Sequence, residues 1–208
     1  RGKSGSGFFG RKSMGSKTIS MALQSAVNDR RVKAIILRVD SPGGDGTASD
    51  IILREVERIT NDEIEGRHIP VIVSMSDLAA SGGYYIACKA DTIICPSTCL
   101  TGSIGAFLGK FVVEDMADKV GVTFDGVSRG KNAKLFSATQ KWNEEQEELL
   151  RHNLFKSYGR FLTHVSEGRD MDTTAVNEIA QGRIWSGRDA LENGPVSYTH
   201  LTLPTNRE

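Results

Sequence analysis

Apolar residues in this chain follow two spacings, and these predict strands and helices in alternation. Continuous apolar runs near 32–39, 70–75 and 92–95 predict buried strands, and 122–127 predicts another. Apolar residues at helical spacing predict two amphipathic helices between the first runs: Ile19, Leu23, Ala26 and Val27, then Ala48, Ile52, Val56 and Ile59. Helices are also predicted over 111–120 and 172–180. The alternation is typical of an α/β domain with a mostly parallel sheet and flanking helices.

The longest helical pattern covers about 144–165. Its start is acidic and follows Asn143, a good N-cap, so we interpret the acidic cluster as complementing the helix dipole. An apolar stripe marks one side of this helix: Leu150, Leu154, Tyr158, Phe161, Leu162 and Val165. Such a stripe is more often core or subunit interface than catalytic surface.

A small-residue segment, AASGGY at 79–84, follows the predicted strand at 70–75. A strand-to-helix turn lined by Ala and Gly folds sharply and leaves the Ser81 hydroxyl uncovered. The backbone amides at the start of the next helix then point at whatever that hydroxyl attacks. The alternative interpretation is an ordinary tight turn.

A second glycine turn, DSPGGDG at 40–46, joins the first predicted buried strand to the second helix. In a parallel sheet both turns fall at the same carboxyl edge, where open α/β sheets hold their ligands. The Gly44 amide could then face the Ser81 hydroxyl, with the Gly82 amide as a second donor. Two such donors form an oxyanion hole, each typically contributing about 3 kcal/mol in the transition state. Two ordinary loops remain the alternative.

Three ordered motifs resemble the signal peptide peptidases of the SppA (protease IV) type: LRVDSPGG at 37–44, MSDLAASGGYY at 75–85 and LTGSIG at 100–105. The resemblance covers roughly 16–194. It implies a serine–lysine endopeptidase, without a cofactor, on the crotonase-like fold shared with the Clp protease proteolytic subunit. By this resemblance Ser81 is the nucleophile, the Gly44 and Gly82 amides form the oxyanion hole, and Ser103 helps to hold the lysine base. The implied substrates are signal peptides or other membrane-associated apolar peptides.

The lysine is where the chain departs from the family pattern. The family base lies in a Gly-x-x-Lys segment, and the matching segment here, SRGKNAK at 128–134, places Ala133 at that position. Either a one-residue shift lets Lys134 serve, or this is the serine-bearing half of a double-length enzyme whose preceding repeat supplies the lysine. We favour the second account. Lys131 and Lys134 could equally be solvated loop charges.

Histidine is a weaker candidate for the base. Of the four histidines, His68 is expected at the opposite end of the sheet from Ser81, and His200 lies in the C-terminal tail. His152 and His164 fall on the long charged helix, where we expect solvated side chains. A buried lysine with a lowered pKa could instead accept the serine proton.

Two other classes of function compete with the peptidase. An acyl-CoA hydratase or isomerase of the crotonase type shares the implied fold, but it needs no serine between two oxyanion donors. A catalytically silent half for assembly or substrate binding is kept open by Ala133. The net charge of zero gives no basic surface for nucleic acid, and the three cysteines lack zinc-site or disulfide spacing.

The predicted organisation has three parts. Residues 1–17 are a flexible Gly-, Lys- and Ser-rich loop, and 18–195 form the peptidase domain, which we expect to be incomplete at both ends. Residues 196–208 resemble a translated sequencing adapter, with a genuine Thr-rich tail as the alternative. No apolar run reaches 18 residues, so we expect a soluble fragment, with association to a cell-envelope or thylakoid-type membrane through an upstream segment. A homo-oligomer or paired repeat is also expected.

Overall fold

The computed structural model describes residues 5–6, 12–62, 64 and 66–199. The chain forms two compact units. The first contains the residues up to Gly105 and those from Gly159 onward, and the second is Ala106–Tyr158. The second unit is therefore inserted in the sequence of the first.

Most elements belong to the first unit. In chain order they are β1 (Gly5–Ser6), β2 (Lys12–Ser13), α1 (Ser16–Asn28), β3 (Ile35–Ser41), α2 (Gly46–Asn61), β4 (Val71–Ala80), α3 (Gly82–Tyr85), β5 (Thr92–Ile94) and β6 (Leu100–Gly102). The second unit contains α4 (Glu114–Lys119) and the first part of α5 (Glu144–Arg169). After α5 the first unit continues with α6 (Thr173–Ile179), β7 (Ile184–Ser186) and α7 (Gly187–Glu192).

The main sheet is built around β4. Strands β3, β5 and β6 all pair with it in parallel, and β7 pairs with β6 in the antiparallel sense. The β5 strand covers the first half of β4, from Ile72, whereas β6 covers the second half, where Ala80 pairs with Gly102. The predicted α/β class, with a mostly parallel sheet and flanking helices, is confirmed.

The core of the first unit lies between α2 and the sheet. The apolar face predicted for α2 is buried, and so are alternate residues of β4; the group includes Ile52, Val56, Ile59, Val71, Val73 and Met75. Burying each such side chain contributes about 1.5–3 kcal/mol. The Asp45 carboxylate caps α2 by accepting a hydrogen bond from the Ala48 amide (2.7 Å). The helix therefore begins directly after the glycine turn.

Three element predictions need correction. Residues 122–127 form no strand in the described chain, because the backbone finds no neighbouring strand there, and Val127 is fully exposed. The helix predicted over 111–120 is shorter, and β4 continues past residue 75 to Ala80. The predicted cap of α5 is confirmed: the Asn143 carboxamide accepts from the Gln146 amide at 2.8 Å.

The two ends of the chain are described only in part. The predicted flexible loop at 1–17 falls largely outside the described residues. Residues 196–199 lie along β5, where the Ser197 amide donates to the Ile93 carbonyl (2.9 Å). Residues 200–208 are outside the described chain, so the origin of this tail stays a prediction. Among the described helices, none combines the length and apolar character needed to cross a bilayer.

Candidate active site

Ser81 occupies a strained turn at the carboxyl end of β4. Its backbone has φ 51° and ψ −119°, values that a residue other than glycine adopts at a cost of about 1–3 kcal/mol. Two hydrogen bonds hold this conformation: the Ser81 amide donates to the Gly102 carbonyl (2.9 Å), and the Ser81 carbonyl accepts from the Tyr85 amide (2.8 Å). Because β4 ends at Ala80 and α3 begins at Gly82, Ser81 alone forms the strand-to-helix turn.

The glycine turn after β3 packs directly against Ser81. Gly43 has φ 101°, and a Cβ added to it would lie 2.6 Å from the Gly82 nitrogen and 2.9 Å from the Ser81 Cβ. A Cβ on Gly82 would in turn lie 2.7 Å from the Ser49 hydroxyl and 3.1 Å from the Gly44 nitrogen. A side chain at Gly43 would require the other turn to move, and one at Gly82 would require at least the Ser49 side chain to move. The two small-residue turns predicted to share one edge of the sheet are therefore in contact.

The amides of Gly44 and Gly82 have no hydrogen-bond acceptor among the residues that the structure describes. The neighbouring Gly43 amide, by contrast, donates to the Ser41 hydroxyl at 3.1 Å. Gly44 is exposed and Gly82 is half-buried, so both amides are open to a ligand or to water. Two unpaired amides beside a serine hydroxyl are what the stabilisation of an oxyanion requires.

Ser103 lies at the end of the strand next to Ser81. Because Ala80 pairs with Gly102, the following residues, Ser81 and Ser103, leave adjacent parallel strands at the same level. Ser103 also has a positive φ, 48°, and its amide donates to the Arg183 carbonyl at 2.7 Å. The structure thus brings together four of the five predicted site residues: Ser81, Ser103, Gly44 and Gly82.

The fifth predicted residue, Lys134, belongs to the second unit. Its side chain is half-buried, and its ammonium group has no ion-pair or hydrogen-bond partner among the described residues. Lys131, three positions earlier, is exposed and forms an ion pair with Glu145. Of the two lysines in this segment, Lys134 is therefore the one whose amine is not already engaged within the described chain.

Among the described histidines, His68 and His152 are exposed as predicted and His164 is not, whereas His200 lies outside the described residues. His68 is exposed and lies before β4, with its Nε2 atom 3.7 Å from Asp91, at the opposite end of that strand from Ser81. The expectation that His164 is solvated is wrong. Its side chain is 18% exposed, both ring nitrogens are buried, and the ring packs edge-on against Tyr85 at 5.5 Å. Burial lowers the pKa of this imidazole.

A partly buried polar cluster that includes Tyr85, four residues after Ser81, was not predicted. We call it the α2–α3–α5 cluster; it consists of Asp50, Glu57, Tyr85, Lys89, His164 and Glu167. The side chain of Lys89 is only 9% exposed and is paired with Glu57 and, at 2.7 Å, with Glu167. One feature of the sequence could have indicated this cluster. Asp50 and Glu57 lie seven residues apart and therefore share one face of α2.

Lys89 is not a candidate for the general base. Burial alone would lower the pKa of this lysine, but its hydrogen bonds to Glu167 and Glu57 outweigh burial and raise the pKa. The side chain therefore stays an ammonium ion. Within the described chain, no group of three or more His, Cys, Asp or Glu side chains is placed to hold a metal ion.

Comparison with known proteins finds relatives among peptidases. The chain is 44% identical to Protease 4 of Haemophilus influenzae over 88% of its length, and 38% identical to the chloroplastic serine protease SPPA of Arabidopsis thaliana over 83%. It spans only 29% and 25% of the lengths of these relatives. The model of peptidase family S49 matches residues 63–201, which include Ser81 and both glycines of the turn that follows it. The chain therefore belongs to peptidase family S49.

Proposed function

We propose that this chain carries the nucleophile and the oxyanion hole of a serine endopeptidase that uses a lysine as its base. The observation that carries the proposal is the strained Ser81 turn packed against Gly43, with the unpaired amides of Gly44 and Gly82 beside it. An acyl-CoA hydratase or isomerase would not need this serine, and the match to a peptidase family favours the peptidase.

In the proposed reaction the Ser81 Oγ atom attacks the carbonyl carbon of the scissile peptide bond. The neutral lysine amine accepts the serine proton, and the negative charge that develops on the carbonyl oxygen is stabilised by the Gly44 and Gly82 amides. Collapse of the tetrahedral intermediate breaks the C–N bond, and the lysine ammonium gives its proton to the departing amine. Water then hydrolyses the acyl-enzyme with the lysine again acting as base.

The source of the lysine is the open part of this proposal. Lys134 is supported by its half-buried side chain and its unengaged ammonium group, whereas Lys131 is exposed and paired with Glu145. The alternative is a lysine in an upstream repeat, which is compatible with a chain that covers only about a quarter of its longer relatives. Under either account Ser103 helps to orient the lysine, since it leaves the strand next to the one that carries Ser81.

Substrates and assembly are proposed from the resemblance and from exposed apolar side chains. We expect the substrates to be signal peptides or similar apolar peptides, reached at a membrane through a segment outside this chain. The second unit exposes large apolar side chains, including Phe107 at 93% and Phe111 at 90%. Apolar surface of this kind favours burial against another copy or repeat. Light scattering that reports only monomers of a fully active protein would contradict the proposed assembly.

The nucleophile assignment is tested with a fluorophosphonate, a serine-directed reagent that loses fluoride when a serine oxygen attacks its phosphorus. We expect the reagent to label the protein, expressed with its upstream coding region, on the Ser81 peptide. Ser81→Ala should abolish both labelling and peptide hydrolysis. Ser76→Ala, which changes another serine of the same strand, is the matched control and should leave both intact. Labelling that persists at the same rate in Ser81→Ala would refute the assignment.

A further inference from the structure

Two helices begin beside Ser81, and a side-chain hydrogen bond joins them. Helix α2 starts two residues after Gly44, the first proposed oxyanion donor. Helix α3 starts at Gly82, the second proposed donor. The hydroxyl group of Tyr85, the last residue of α3, donates to the Asp50 Oδ1 atom on the second turn of α2 at 3.2 Å. The contact therefore links the two parts of the backbone whose separation defines the oxyanion hole.

Helix α3 needs such a link because it is very short. It contains four residues, a single turn, and a helix of this length is not stable by its own hydrogen bonds. The Tyr85 amide also donates to the Ser81 carbonyl at 2.8 Å. Tyr85 thus holds the nucleophile turn through its backbone and α2 through its side chain.

The surroundings of Tyr85 preserve this hydrogen bond. Its ring is buried, with its centroid 4.7 Å from that of Phe161 and 5.5 Å from that of His164. Burial, and then the nearby Asp50 carboxylate, raise the pKa of the phenol, so the hydroxyl stays protonated and can donate.

The Asp50 carboxylate divides its oxygens between two partners. Its Oδ2 atom is engaged by Arg54 at 3.2 Å, and its Oδ1 atom accepts from Tyr85. The Nε2 atom of His164 lies 3.8 Å from Oδ1, too far for a hydrogen bond, and burial keeps that imidazole neutral. Of the two described groups near Oδ1, Tyr85 and not His164 therefore donates a hydrogen bond to it.

We propose that Tyr85 is a positioning residue that fixes the spacing of the Gly44 and Gly82 amides through its hydrogen bond to Asp50. The proposal rests on the proposed function, because it assigns the oxyanion hole to those amides. A second contact joins the same two parts of the chain. Lys89, four residues after Tyr85, forms an ion pair with Glu57, which also lies on α2. A loosened link would leave the substrate able to bind but would displace the donors from the developing oxyanion.

The experiment compares two adjacent tyrosines. Tyr85→Phe removes the hydroxyl and keeps the ring contacts. Tyr84→Phe, the matched control, removes a buried hydroxyl that donates to the Pro195 carbonyl at 2.8 Å and does not reach α2. We expect Tyr85→Phe to lower kcat and the rate of fluorophosphonate labelling about tenfold, less than the roughly 100-fold cost of a 1 Å misplacement. KM should stay within about twofold, and Tyr84→Phe should change neither rate although it destabilises the fold.

Substitutions of Asp50 complete the test. Asp50→Asn keeps an acceptor oxygen for Tyr85 and should retain most activity, whereas Asp50→Ala should show the loss seen in Tyr85→Phe. The double variant Tyr85→Phe/Asp50→Ala should lose no more than either single variant, because both remove the same contact. Equal rates for Tyr85→Phe and Tyr84→Phe, in a protein labelled at Ser81, would overturn this proposal alone. A wild-type protein that is not labelled at Ser81 would overturn the proposed function and this proposal with it.

Discussion

Replacing Gly43 by alanine is the sharpest test of how the two turns fit together. The new Cβ would lie 2.6 Å from the Gly82 nitrogen and 2.9 Å from the Ser81 Cβ, both in backbone-anchored positions that cannot rotate away. To reach ordinary contact the two turns must separate by roughly 0.8 Å. The substitution also places alanine at φ 101°, which costs about 1–3 kcal/mol, and overpacking adds about 1–3 kcal/mol. We therefore expect Gly43→Ala to lower the free energy of unfolding by about 2–6 kcal/mol.

Activity should fall beyond what the lost stability explains. A separation of this size moves the Gly44 amide away from Ser81 and Gly82, and misplacement on that scale costs about 100-fold in rate. The assay is kcat/KM for a peptide substrate at a temperature where urea denaturation shows the variant to be folded.

Gly46→Ala supplies the control for this experiment. Gly46 opens α2 in the same loop, and a Cβ added there meets nothing within 4 Å. Alanine at this helical position should be neutral or stabilising by up to about 1 kcal/mol. If Gly43→Ala matched Gly46→Ala in both stability and kcat/KM, the packing of the two turns described here would be refuted.

Two further predictions concern titratable side chains. If Lys134 is the base, Lys134→Ala should lower kcat by about two to four orders of magnitude. Lys131→Ala is the control and should change kcat less than about threefold. Equal small effects in both variants would place the base in an upstream repeat. Because burial lowers the pKa of His164 from its usual 6.5, the unfolded chain takes up a proton that the folded chain does not, and the free energy of unfolding should fall as the pH drops below about 6.5. Urea denaturation at pH 7.5 and 5.5 measures this effect: His164→Gln should remove the loss of stability, and His68→Gln, at an exposed position, should not. The hydrogen bond to Lys89 holds the pKa of Glu167 below its usual 4.5, so Glu167 affects the free energy of unfolding only at lower pH.

The nucleophile turn could be predicted from the sequence because its signals are local. Small residues at 79–83 and the glycines at 43 and 44 permit backbone conformations that few other residues adopt, and parallel pairing places both turns at one edge. The strand at 122–127 was predicted from the local sequence pattern alone. That pattern says nothing about whether a neighbouring strand exists, and none pairs there in the described chain.

Other features depend on contacts between distant segments. The burial of His164 follows from the packing of α5 against Tyr85, and the ion pairs of Lys89 join residues as far apart as Glu57 and Glu167. No local pattern indicates these pairings, because the partners lie far apart in the sequence. The choice between Lys134 and an upstream lysine also lay beyond the sequence, since the motif here is offset by one residue and the chain covers a quarter of its longer relatives.

The discontinuity of the first unit has a consequence for the order of events during synthesis. Ser81 lies in the first stretch of that unit, and residues of the second stretch pack around it. The Arg183 carbonyl accepts a hydrogen bond from the Ser103 amide, and β7 pairs with β6. The Pro195 carbonyl accepts from the Tyr84 hydroxyl across a separation of 111 residues. Contacts this distant in sequence form late in folding, because the intervening chain must first be closed into a loop. A growing chain therefore contains the complete Ser81 turn well before the second stretch of the unit is made, and the contacts that this stretch adds around the turn form only after it has been synthesised.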